Sequence, residues 1–75
     1  MKVKTINELE IGETGIVDNI IGEENIKRRL LDLGLIEGTN IKPVLISPSG
    51  DPRAFEFRGS LIAIRREDGE NIKLK

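Results

Sequence analysis

The sequence has no cysteine and no histidine, and neither tryptophan nor tyrosine. Without cysteine no disulfide can staple the fold, and no thiolate site can hold zinc. Without histidine, Ser-His-Asp and Cys-His arrangements are impossible, and the usual general base at neutral pH is missing. Paired carboxylates could still act as in glycosidases. Most of the 13 acidic residues, however, sit in charge-dense stretches, where solvated surface is the ordinary role. The chain is therefore expected not to be an enzyme and to need no cofactor. Oxygen ligands alone suit hard cations, whereas Fe(II) and Zn(II) favour imidazole or thiolate beside carboxylate. Asp18, Asp51 and Asp68 show no EF-hand spacing, so no metal-ligating residues are assigned. The missing aromatics also exclude a PxxP groove and the stacking platforms of RNA-binding barrels.

What the chain does contain is aliphatic: 12 Ile, 8 Leu and 3 Val, with Phe55 and Phe57 its only aromatics. β-branched residues pack well on pleated surfaces, so strands are favoured. Seventy-five residues suffice for one domain, 1–75, of marginal surface-to-volume ratio. The net charge of −1 argues against nucleic-acid binding, which needs a cationic surplus. Met1-Lys2-Val3-Lys4 is unlike the start of a signal peptide, and no apolar run is long enough for direct membrane insertion. The expected location is the cytoplasm.

Along the chain, Thr5-Ile6-Asn7-Glu8 forms a capping box and predicts one helical turn that lays Ile6 and Leu9 over a barrel end. Gly15–Ile21 predicts a strand whose imperfect alternation implies a bulge. Glu23–Leu33 predicts a helix, with Ile26, Leu30 and Leu33 on one apolar face and Gly34 as its stop. Glu23 with Lys27 and Glu24 with Arg28 are favourable i, i+4 pairs. Thr39–Ile46 predicts a strand that Pro43 makes an edge or a bulge. Ser47–Pro52 is turn chemistry, with Gly50, Asp51 and Pro52 at its centre. Phe55 and Phe57 alternate with charged neighbours, and Gly59 separates them from a strand at Leu61–Arg66. Asp68-Gly69 predicts a hairpin to a last strand carrying Ile72 and Leu74. Gly12, Gly15, Gly34, Gly38, Gly50, Gly59 and Gly69 are assigned to turns rather than to a phosphate loop, since no Lys-Ser/Thr ending follows them. Five short strands with a helical insertion between the first and second make a mainly β, partly open barrel. One helix on a four-stranded sheet is the alternative.

The most distinctive segment is Lys27-Arg28-Arg29-Leu30-Leu31-Asp32-Leu33-Gly34-Leu35-Ile36-Glu37-Gly38-Thr39. Together with Leu9-x-x-Gly12-x-x-Gly15, Gly50-Asp51-Pro52, Arg58-Gly59 and Ile62-Ala63-Ile64-Arg65, it resembles the FeoA family over nearly the whole chain. Glu37 stands where that family often has Pro, and Gly69 where it often has Ala. The resemblance implies an SH3-like five-stranded barrel and a non-catalytic role in bacterial ferrous iron transport. The implied partner is the cytoplasmic side of an inner-membrane FeoB-type transporter. It also implies kinship with the SH3-like C-terminal domain of iron-dependent repressors, in which such a domain touches metal and protein. A regulator of the transporter's GTPase, supplying an arginine in trans, and a metal-responsive interaction domain are the alternatives.

Lys27, Arg28 and Arg29 admit two roles: a solvated face paired with Glu23, Glu24 and Asp32, or a contact surface. Leu31 and Leu35 exceed what one inward stripe needs, so each is either core or an apolar anchor for a partner. Arg58, Arg65 and Arg66 are expected on the outside of the barrel. From the donor set, Fe(II), Zn(II) or Mn(II) should bind no more tightly than roughly millimolar at neutral pH. Calorimetric titration checks this, and a micromolar 1:1 site would refute it.

Overall fold

The computed structural model describes residues 4–75; Met1–Val3, which begin the stretch judged unlike a leader, lie outside the described residues. A 3₁₀ turn at Ile6–Glu8 comes first, followed by strand β1 (Gly15–Ile20) and helix α1 (Glu24–Asp32). Strands β2 (Asn40–Ile46), β3 (Arg53–Phe57) and β4 (Ser60–Ile64) follow, then a one-turn helix α2 (Arg66–Gly69) and strand β5 (Ile72–Leu74). The strands form one antiparallel sheet in the order β4-β3-β2-β1-β5, with α1 inserted between β1 and β2. Five strands replace the four of the sandwich alternative.

The opening turn forms as its residues dictate. The Thr5 hydroxyl accepts from the Asn7 amide at 3.3 Å, and the Thr5 amide donates to Glu8 Oε2 at 3.1 Å. That reciprocal cap fixes Ile6 and Leu9 over one end of the barrel, where both are buried. In β1 the register slips between Val17 and Asn19. This bulge lets Val17 and Ile20 both face inward while Ile16 and Ile21 stay exposed. Pro43 lies in a central strand, and its missing donor is absorbed by a second slip, between Pro43 and Leu45. Phe55 and Phe57 are buried on the inner face of β3, and Ile41, Ile64, Ile72 and Leu74 complete the core with Leu30 and Leu35.

The hairpin expected at Asp68-Gly69 does not exist. A two-residue hairpin of the favoured kind requires positive φ at its centre, and Gly69 has none. The Arg65 carbonyl instead accepts from the amides of Asp68 (3.0 Å) and Gly69 (2.9 Å), giving the helical turn α2. That turn carries the chain away from β4, so β5 pairs with β1. Gly69 is small for another reason: a Cβ there would collide with Oδ1 of Asn7. Gly15 is likewise no turn residue. It starts β1, and a Cβ on it would lie 2.9 Å from Leu74 Cδ1 and 3.1 Å from Leu9 Cδ1. Gly12, Gly34, Gly38, Gly50 and Gly59 do adopt the positive φ of turns, and the Asp51–Pro52 peptide within the central turn is cis. The tight hairpin of this chain is Arg58-Gly59 between β3 and β4, with positive φ at both residues.

Arg53, at the start of β3, ties the sheet to the opening turn. Its Nη1 donates to the Leu9 carbonyl at 2.6 Å and its Nη2 to the Ile6 carbonyl at 2.9 Å. The guanidinium carbon lies 5.0 Å from the Phe55 ring centroid. Burial first, and the nearby charge of Arg66 second, hold the guanidinium below its ordinary pKa, but arginine stays protonated throughout the physiological range. Methionine at this position keeps the length and loses the donors, so Arg53→Met should cost roughly 1–3 kcal/mol. Urea unfolding of the two proteins measures the difference.

Candidate functional site

Helix α1 ends by two backbone bonds that set everything around it. The Gly34 amide donates to the Leu31 carbonyl at 2.9 Å, and the Leu35 amide to the Leu30 carbonyl at 3.3 Å. With Gly34 at φ 100°, this is a Schellman motif, which brings the residue after the glycine against the residue four positions before it. Leu35 and Leu30 are both buried accordingly. Leu35 therefore belongs to the core and is not an exposed partner anchor. Leu33 is corrected in the opposite sense. Expected on the inward stripe, it is 41 % exposed, because the helix has ended and Leu35 fills the inward place. The Leu-Gly-Leu spacing carried this signal.

The apolar stripe of α1 borders an open groove of about 610 Å³. Ile26, Arg29, Leu30 and Leu33 form one wall, and Ala63, Ile64 and Arg65 form the other. Glu67 and Asp68 of α2 contribute to its polar part. An ion pair of 2.9 Å between Arg29 Nη2 and Asp68 Oδ2 joins the helix to α2. With the arginine side chain 60 % exposed, solvent screens that pair, and its contribution is at the low end of about 0–1 kcal/mol.

Of the residues singled out from sequence, Arg29 lines the groove and Leu35 does not reach the surface. Arg28 and Leu31 are exposed and Lys27 is half-buried, all three outside the groove wall. Among the described residues, neither Glu23–Lys27 nor Glu24–Arg28 closes to ion-pair distance. Sequence reasoning missed Ile26, Leu33 and the β4 wall as neighbours, because the hairpin it expected would have placed β5 beside β4. Arg58, Arg65 and Arg66 lie outside the barrel core, as expected.

The FeoA domain family model matches residues 4–75. The chain is 26 % identical over 70 residues to the Fe(2+) transport protein A/Fe(2+) transporter FeoB fusion protein of Porphyromonas gingivalis, covering 93 % of this chain and 8 % of that protein. The solution structure of FeoA from Chlorobium tepidum is 34 % identical, with TM-score 0.86 over 95 % of this chain and 68 % of that one. FeoA of Stenotrophomonas maltophilia, a prokaryotic SH3 domain protein crystallised with zinc, is 22 % identical, with TM-score 0.85 over 96 % of this chain and 89 % of that one. It confirms the SH3-like fold. This chain has neither histidine nor cysteine, the usual zinc ligands beside carboxylate, and among the described residues no three acidic side chains gather to hold an ion. No helix among the described residues is long and apolar enough to cross a membrane.

The two leucines separate core from surface within one helix turn. Leu30→Ala should cost roughly 2–5 kcal/mol, as buried truncations do. Leu33→Ala should cost less than about 1 kcal/mol, since its side chain is partly in water already. Thermal unfolding of both variants checks the assignment, and equal losses would return Leu33 to the core. The matched model, the shared fold and the motif order lead to one conclusion: this chain belongs to the FeoA domain family.

Proposed function

We propose that this chain is a non-catalytic accessory protein of ferrous iron transport that docks on the cytoplasmic part of a FeoB-type membrane transporter. The observation that carries the reading is the Porphyromonas gingivalis protein, in which a FeoA-like segment and the transporter share one polypeptide. Fusion of this kind is economical when the two parts act together, because the second contact becomes intramolecular. A cytoplasmic site of action follows from that partner.

The docking surface in this reading is the exposed side of α1 with its groove. Leu31 and Leu33 are large apolar side chains left 40 % and 41 % exposed. Arg28 and Arg29 stand beside them. Apolar anchors with arginines at their rim have the composition of an interface centre. The absence of histidine and cysteine supports a role without catalysis.

Binding to an immobilised cytoplasmic domain of the cognate FeoB-type transporter tests the proposal. Arg29→Glu and Arg28→Glu should each weaken binding several-fold, mainly through slower association and with strong salt dependence. Their unfolding curves should stay close to that of the parent, since exposed ion pairs contribute about 0–1 kcal/mol. Unchanged affinity in both variants would move the interface elsewhere. GTP turnover measured with and without the protein separates passive docking from regulation.

A further inference from the structure

The two edges of the sheet are treated very differently. β5 is three residues long, carries Lys73, and is flanked by the chain's own start: Thr5 bridges to Lys73, and the Leu74 amide donates to the Lys4 carbonyl at 2.8 Å. β4 is five residues long, Ser60-Leu61-Ile62-Ala63-Ile64, with no charge and no proline. Proteins normally guard such edges with lysine, proline, bulges or a covering element, because the unpaired backbone is a template for another strand. β4 has none of these sequence guards, and its register with β3 runs without a bulge.

The free groups can be named. In a two-residue hairpin the residues flanking the turn exchange backbone bonds, and bonded pairs then alternate along the ladder. Phe57↔Ser60, Phe55↔Ile62 and Arg53↔Ile64 are thus the bonded pairs of β3 and β4. The N–H and C=O groups of Leu61 and Ala63 point away from β3. Among the described residues they enter no backbone bond outside the sheet. Ala63 is the one of the two that borders the groove shared with α1. Ala63, Ile64 and Arg65 are consecutive, and side chains in a strand alternate between faces. All three line the groove, so it meets the backbone edge of β4 at the strand's C-terminal end, and a segment seated there reaches Leu61 by continuing along the edge beyond it.

We infer that the groove takes an extended polypeptide segment, apolar in the middle and acidic at its ends, which adds to β4 as a sixth strand. This rests on the docking role proposed above and specifies its mode. The apolar side chains of the segment that face α1 would meet Ile26 and Leu33. The charges choose the occupant. β4 is bracketed by Arg58 before it and by Arg65 and Arg66 after it, and of the two acidic residues that follow in the groove, Asp68 is already paired with Arg29. A second copy pairing antiparallel through β4 would set Arg65 and Arg66 of each chain against Arg58 of the other, which like-charge repulsion opposes. A segment with acidic ends meets Arg58 at one end and Arg65 and Arg66 at the other, where Glu67 offsets part of that charge. Backbone bonds supply affinity in such strand addition, and alternate side chains supply specificity.

The test uses the full chain and a capped eight-residue peptide with two acidic residues at each end and alternating valine and threonine between them. On titration, the Leu61 and Ala63 amides should shift and exchange with solvent more slowly by NMR. The Ser60, Ile62 and Ile64 amides, bonded to β3 already, should gain no protection. The same peptide with its central nitrogens methylated should bind about tenfold more weakly or worse. Ala63→Pro removes an outward N–H without touching the ladder and should weaken binding to a similar degree; the methylated peptide decides the matter if that variant does not fold. Absence of binding, equal affinity for both peptides, protection confined to α1, or a dimer formed through β4 would each overturn the inference. Capture of the transporter domain in an Arg29-dependent manner alongside such a result would leave the docking role standing and remove only the strand pairing. Failure of that capture would remove the docking role itself.

Discussion

A barrel of five short strands leaves its core open at the ends, and here one end is closed by a turn that contributes only Ile6 and Leu9 to the interior. Such a lid is too short to stay in place by apolar contact alone. Arg53 holds it by donating to two of its carbonyls from the first residue of β3, with Phe55 beneath the guanidinium. The neighbouring contacts follow from this placement. Asn7, at the back of the lid, donates to the Arg66 carbonyl at 2.9 Å, and the Arg66 amide donates to Asp51 at 2.9 Å. Opening turn, central turn and α2 are thereby joined through polar groups rather than through core volume. A small chain without disulfides gains order in this way where it has little apolar area to bury.

Local chemistry was legible wherever it decided the structure by itself. Thr5 and Glu8 announced the first turn, Gly34 the end of α1, and the irregular alternation of Ile16 to Ile21 the bulge in β1. Pro43 left two possibilities, and the central position of β2 selects the bulge. Asp68-Gly69 misled because the dipeptide is compatible with a helical turn as well as with a hairpin. Only the closeness of Asn7, far away in sequence, reveals why glycine is required there. That is tertiary information, and periodicity cannot carry it.

The candidate site was half legible for the same reason. Arg29 was marked by its place in a basic run, but its neighbours Ala63, Ile64 and Arg65 come from an element more than thirty residues away. Leu33 and Leu35 exchanged roles because helical periodicity was extended past the last helical residue. Beyond that point the Schellman geometry governs, and it counts from the glycine rather than from the helix start. The groove thus owes its apolar wall to the same backbone turn that buries Leu35 in the core.

Lys4 and Leu74 are hydrogen-bonded neighbours, and the Lys75 amide donates to the Ile16 carbonyl at 2.9 Å, so both ends leave beside β5 and β1. A tether attached at either end departs from that side of the sheet, whereas the groove is bounded by β4 and α1. Linker length could then be varied, or the attachment moved from one end to the other, without rebuilding the recognition surface. What changes is the local concentration at which the domain meets whatever it is tethered to.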